Sequence, residues 1–151
     1  MPSTSVDRVT ESTDSYQQIQ QFYAQQMQAG DGGDFDAWGA SFTESAVFLS
    51  NGLPEPLNGR SAIVAATRAG AADRAAKGVS HRHVVSMLDI RPVTEGTVAA
   101  RSYVLVIASS QAGGATLHVS TVCEDRLVSG DGGWQVAERR VTRDDLPAAA
   151  R

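Results

Sequence analysis

Apolar positions first recur at Ile19, Phe22, Tyr23 and Met27, with Gln26 completing a stripe spaced by threes and fours. That period predicts a helix with one buried face, capped by Ser12 or Thr13 and stopped at Gly30. The run Gly30-Asp31-Gly32-Gly33-Asp34 reads as a turn, because glycines accept positive φ and aspartates cap. Asp34 can cap a second, short helix from Phe35 to Phe42, with Phe35, Trp38 and Phe42 on its inner face. Residues 46–49 predict a short strand and Asn51-Gly52 a tight turn. Ser61 is a plausible cap for an alanine-rich helix that runs to about Lys77, with Gly78 as its stop.

From His81 onward the period changes to that of strands. Four runs, roughly 81–92, 98–110, 115–128 and 134–143, are separated by turns that contain glycine. Long strands joined by tight loops predict a twisted, curved antiparallel meander. Helices at the start and strands at the end place the chain in the α+β class, with helices laid on the concave face of a strongly curved antiparallel sheet and enclosing a pocket. The expected domain spans 13–145, with 1–12 and 146–151 expected to be disordered.

The 151 residues suit one domain, and 42% apolar with 20% charged residues is ordinary for a soluble protein. A formal net charge of -4 with scattered basic residues argues against nucleic acid or an anionic membrane surface as partner. No apolar run reaches the ~18 residues of a membrane span. The segment from Met1 to Glu11 lacks the apolar centre of a signal peptide, so a cytoplasmic location is expected. The single cysteine, Cys123, has no internal disulfide partner, and its neighbours Val122, Glu124 and Asp125 disfavour a thiolate, so it reads as structural.

The element order, together with residues 30–38 (GDGGDFDAW), 42–48 (FTESAVF), 83–86 (HVVS) and 133–141 (GWQVAERRV), resembles the SnoaL-like branch of the nuclear-transport-factor-2-like superfamily over about residues 14–145. The resemblance implies a cone-shaped, pocketed fold. The superfamily hosts cyclases, dehydratases, isomerases and non-enzymes, so the fold alone does not name a reaction. The chemistry that looks most similar is that of scytalone dehydratase and bile-acid dehydratase. By position, Asp31 matches the Asp those enzymes carry after the first helix, and His83 matches the His near the start of the long sheet. Tyr23, on the first helix, stands for their tyrosines from the helical side. The acid that bile-acid dehydratase carries on the second long strand has no counterpart in residues 103–107 (YVLVI), and its C-terminal arginine corresponds to Arg140 or Arg143.

An Asp and a His converging in an apolar pocket form an acid/base dyad. The carboxylate fixes the tautomer, and imidazole, ordinarily titrating near ~6.5, can take and return a proton at neutral pH. Enolisation beside a carbonyl, followed by loss of water or ring closure, needs no cofactor and no metal. Catalysis is therefore assigned to His83, Asp31 and Tyr23. Trp38, most simply a core residue, is included with Tyr103, His118 and Arg140 as a candidate for substrate contact. Strand alternation puts His81 on the same face as His83, with Val85 and Met87, so His81 competes for the base. His118 shares a face with Thr116, Ser120 and Val122, and the pattern leaves open whether that face is inner or outer. The three histidines could in principle hold zinc from adjacent strands.

The expected function is thus a cofactor-independent lyase or cyclase (dehydration, aldol-type cyclisation or isomerisation) on a hydrophobic oxygenated small molecule, in polyketide-type secondary metabolism. The rivals are a non-catalytic ligand-binding or assembly module and the small subunit of a ring-hydroxylating oxygenase. Alternating apolar residues over 98–108 and 115–123 lead to the expectation of a homodimer through the sheet.

Overall fold

The computed structural model describes residues 5–148, and the side chains from residue 14 onward. The order is α1 (Ser5–Gly32), α2 (Phe35–Ala40), β1 (Phe42–Ser50), β2 (Leu57–Asn58), α3 (Arg60–Ala76), β3 (Ser80–Thr94), β4 (Thr97–Ser110), β5 (Gly114–Gly130) and β6 (Gly133–Arg143). The architecture is α+β, as the patterns predict. The long strands start and stop within three residues of the expected limits.

Helix α1 is longer at both ends than expected. It begins at Ser5, where no glycine or proline interrupts the chain before Tyr16, so residues 5–12 are helical. The rest of the expected disorder falls on 1–4 and 149–151, outside the described residues, and on 146–148. At its other end α1 runs through Gly30 to Gly32, and Gly33, at φ 81°, makes the stop. Gly30 serves a different need: a Cβ there would lie 2.9 Å from Cε3 of Trp38, so the bare backbone lets the indole pack against the helix. Asp34 caps α2 as predicted, accepting from the Ala37 N–H at 3.1 Å. The chain leaves α2 before Phe42, which opens β1. Gly59 occupies the cap position of α3 in place of the expected Ser61.

β3 to β6 form the predicted antiparallel meander. The sheet does not stop there. β1 pairs in parallel with β6, and β2 pairs with β1, giving a mixed sheet of six strands in the order β2-β1-β6-β5-β4-β3. α1 lies across this sheet and buries Ile19, Tyr23 and Met27 against Phe42, Leu127 and Val136. Burial of such a stripe, roughly 1.5–3 kcal/mol for each large side chain, fixes the helix on the sheet.

Three β-bulges reset which residues face inward. In β3 the register shifts between Ser86 and Asp89, and Met87 takes φ 54° and stands 73% exposed, away from the face that alternation assigns it with His83. In β5 the extra residue is His118, because Val106 pairs with Val119 but Ile107 pairs with Leu117. In β6 it is Ala137, because Arg126 pairs with Glu138 but Leu127 pairs with Val136.

Candidate active site

The end of α1 and the start of β3 meet at Asp31 and His83, 52 positions apart in sequence. The backbone N–H of His83 donates to Oδ2 of Asp31 at 2.9 Å, and ring Nδ1 lies 2.6 Å from Oδ1. Both oxygens of one carboxylate thus hold one residue. An ionised carboxylate only accepts, so Nδ1 carries the proton and the lone pair of the neutral ring sits on Nε2. Burial alone would push the Asp31 carboxyl upward. The ring and backbone hydrogen bonds from His83 outweigh it and hold the carboxyl below its ordinary value. The Asp31 side chain is 7% exposed and that of His83 35%, so the orienting group is buried and the ring reaches open space.

The dyad borders a cavity of about 380 Å³ between α1, α3 and the concave face of the sheet. Its floor is formed by buried residues, among them Trp38, Ile63, Cys123 and Arg139. Nearer the surface it is lined by Arg74, His81, His118 and Arg143. A second groove, between α1 and β3, shares Asp31 and His83 with it.

The structure therefore brings Asp31, His83, Trp38 and His118 to one cavity, with His81 beside them. Strict alternation places His118 with Ser120 and Val122, opposite the inward Thr121 and Cys123. The bulge at His118 turns it inward, and its ring packs on His81 with centroids 4.8 Å apart. Three other candidates, Tyr103, Arg140 and Tyr23, do not line it. Tyr103 is 44% exposed on the outer face of β4, beside Arg101, because the inward residues of that strand are Val104 and Val106. Arg140 is exposed and its neighbour Arg139 is buried: the bulge at Ala137 exchanges the face that Val136 would otherwise share with Arg140. Arg143, the alternative to Arg140, does line the cavity and pairs with Asp145 at 2.8 Å.

Tyr23 borders the second groove, but its hydroxyl donates to Asp125 at 2.7 Å. It belongs to a buried network in which Arg139 donates to both oxygens of Asp125 at 2.9 and 2.8 Å, and to Gln26 at 2.6 Å. Burial first, then the Asp125 charge, push the Tyr23 hydroxyl far up, so it holds its proton. Burial opposes the charge of Arg139, yet Asp125 beside it keeps the guanidinium firmly cationic. Burial likewise pushes the Cys123 thiol up, in keeping with a structural cysteine.

Sequence reasoning singled out neither Arg139 as the inward arginine nor Arg74 as a cavity residue. Ala137 and Val141, two positions to either side of Arg139, offered a signal, but only the bulge decides its side. Trp38 Nε1 is a buried donor with no partner among the described residues. Among those residues no group of three His, Cys, Asp or Glu side chains is arranged to hold a metal ion.

Comparison with known proteins decides the family. The model of the SnoaL-like domain matches residues 11–140. The chain belongs to the SnoaL-like family. Its architecture is the nuclear-transport-factor-2-like, cystatin-like fold. Among solved structures, this SnoaL-like protein is similar to Aln2 from a Streptomyces species, with 31% identity over 96% of this chain and 95% of the other, at TM-score 0.79. It is similar to ActVI-ORFA from Streptomyces coelicolor, with 28% identity over 90% and 99%, at TM-score 0.80. A Catenulispora acidiphila protein in complex with S-DNPA is 34% identical over 86% and 93%, at TM-score 0.73. No curated protein matches the chain. No helix among the described residues is long and apolar enough to cross a membrane.

Proposed function

We propose that this SnoaL-like protein is a cofactor-independent acid/base lyase or cyclase acting on a hydrophobic oxygenated small molecule, such as a polyketide-derived ring, in the cytoplasm. The observation that carries the reading is His83, its backbone and ring each held by one oxygen of Asp31, at the wall of a largely apolar cavity. Nε2 of His83 takes a proton from the carbon next to a substrate carbonyl, and the electron pair moves into the enolate. In a dehydration the enolate expels a hydroxyl, which leaves as water with the proton returned from Nε2. In a ring closure the enolate carbon attacks a second carbonyl, whose oxygen takes that proton. Asp31 keeps Nδ1 protonated and balances the charge on the ring while the proton is held. The enolate oxygen suits the buried end of the cavity, lined by Trp38, whose Nε1–H has no partner among the described residues, and by Arg139, whose charge Asp125 already balances.

Arg139 takes over the place first given to Arg140. Tyr23 is a positioning residue, since its hydroxyl is committed to Asp125. S-DNPA, held by the Catenulispora relative, is the first compound to offer. Conversion of it, followed by chromatography, is expected to fall about 10²–10⁴-fold in His83→Gln. Turnover unchanged in that variant defeats the reading.

One observation favours a second reading, a ligand-binding module without chemistry. Asp31 is the single acid among the described residues that line the cavity, and it is already engaged by His83. Tight binding of S-DNPA with no change in the compound supports this alternative.

A second copy of the chain is the partner that fits the outer face of the sheet. Val84, Tyr103 and Leu117 stand 44%, 44% and 60% exposed there on neighbouring strands, an apolar patch that water covers poorly.

A further inference from the structure

The cavity carries an imbalance of charge that the dyad does not use. Besides His83, two arginines and two imidazoles line it toward the opening, Arg74, Arg143, His81 and His118, with Arg139 at the floor. Arg139 is neutralised by Asp125, Arg143 by Asp145 and His83 by Asp31. Arg74, half-buried in the last turn of α3, makes no ion pair or hydrogen bond among the described residues. The negative end of the α3 dipole accounts for an arginine at that place in the helix. It does not account for two imidazoles brought to the same cavity from different strands. His81 is the second residue of β3, and His118 is turned inward by its bulge to stack on it at 4.8 Å.

These groups work against one another. Burial, and then the charges of Arg74, His118 and His83, lower the proton affinity of His81, with Asp31 opposing. A carboxylate placed between them would accept hydrogen bonds from Arg74 and from the imidazoles, and would remove the repulsion. The chain as a whole is not basic, with a formal net charge of -4, so a general excess of positive charge does not explain the cationic opening.

We infer that Arg74, His81 and His118 form an anion site at the opening of the cavity, and that the substrate is a ring compound carrying a carboxylate, held there while its carbonyl end enters the apolar floor. This deepens the proposed lyase or cyclase reading, and it adds the substrate's charge to it.

The test uses 2-naphthoate and its neutral isostere 2-naphthamide as probes, with dissociation constants measured by calorimetry. The wild-type protein is expected to bind the acid at least about tenfold more tightly than the amide, the size of a charge-assisted hydrogen bond. Arg74→Gln is expected to bring the two constants together, and His118→Gln, at an exposed position, to narrow them. His83→Gln is expected to keep the preference. Equal constants for acid and amide in the wild type, absence of binding by the acid, or a preference that survives Arg74→Gln overturns the inference. The catalytic reading is judged separately, by turnover in His83→Gln, so either can fail alone.

Discussion

Asp31 holds His83 twice, accepting its backbone N–H at 2.9 Å and its ring Nδ1–H at 2.6 Å. The backbone contact pins the start of β3 to the end of α1, and the ring contact sets the tautomer. One carboxylate therefore joins a structural task to a chemical one, and replacing it should disturb both.

Asp31→Asn keeps the shape but loses the charge. The carboxyl lies below its ordinary value in the folded protein, so folding favours the ionised form. Its contribution is complete above the unfolded value of about 4 and is lost as pH falls through the lower folded value. The variant should be less stable by about 1.5–3 kcal/mol at pH 7, the range for hydrogen bonds to a charged group. The gap to the wild type should close below about pH 4. Chemical unfolding across pH measures this, and a gap independent of pH contradicts it. Turnover should fall with that of His83→Gln.

Tyr23→Phe separates a positioning tyrosine from a catalytic one. Removing the hydroxyl leaves Asp125 with both bonds from Arg139, so the loss should be about 0.5–1.5 kcal/mol with turnover largely kept. Arg139→Met instead leaves Asp125 buried without its cation, which should cost about 3–5 kcal/mol. Turnover falling a hundredfold in a folded Tyr23→Phe would return the tyrosine to the reacting atoms.

Glycine placement in α1 makes a paired test. Gly30→Ala drives a methyl to 2.9 Å from the Trp38 ring and should destabilise by about 1–3 kcal/mol despite alanine's helix propensity. Gly32, with nothing within 4 Å of its would-be Cβ, should accept alanine with no loss. Equal melting shifts in the two variants would show that the indole does not depend on the bare backbone.

His81 should titrate below the ordinary imidazole value, because burial and the neighbouring charges of Arg74, His118 and His83 outweigh Asp31. NMR titration of the ring in Arg74→Gln should show it moving back up. No movement would mean that the Arg74 charge does not reach the ring.

The outer-face pairing is checked by sedimentation. Leu117→Lys, at a residue 60% exposed, should shift a dimer toward monomer and leave the fold intact. A wild-type monomer removes the second copy.

Much of this was legible in the chain. Four period-two runs separated by glycine turns marked β3 to β6, and the threes and fours from Ile19 to Met27 marked the buried face of α1. Those are local properties, set by side-chain spacing and backbone sterics, and they carry the α+β class. The meeting of Asp31 and His83 was reached only through resemblance, since no local rule joins positions 52 apart. Which face each strand residue takes was decided by tertiary structure alone. Alternation propagates from one end of a strand only while the ladder is regular, and one extra residue at His118 or Ala137 exchanges inside for outside beyond it. So His118 entered the cavity, and Arg139 replaced Arg140 at its floor. The sequence alone determines the elements and their order. The bulges, which exist only once two strands have paired, determine which side chains the cavity receives.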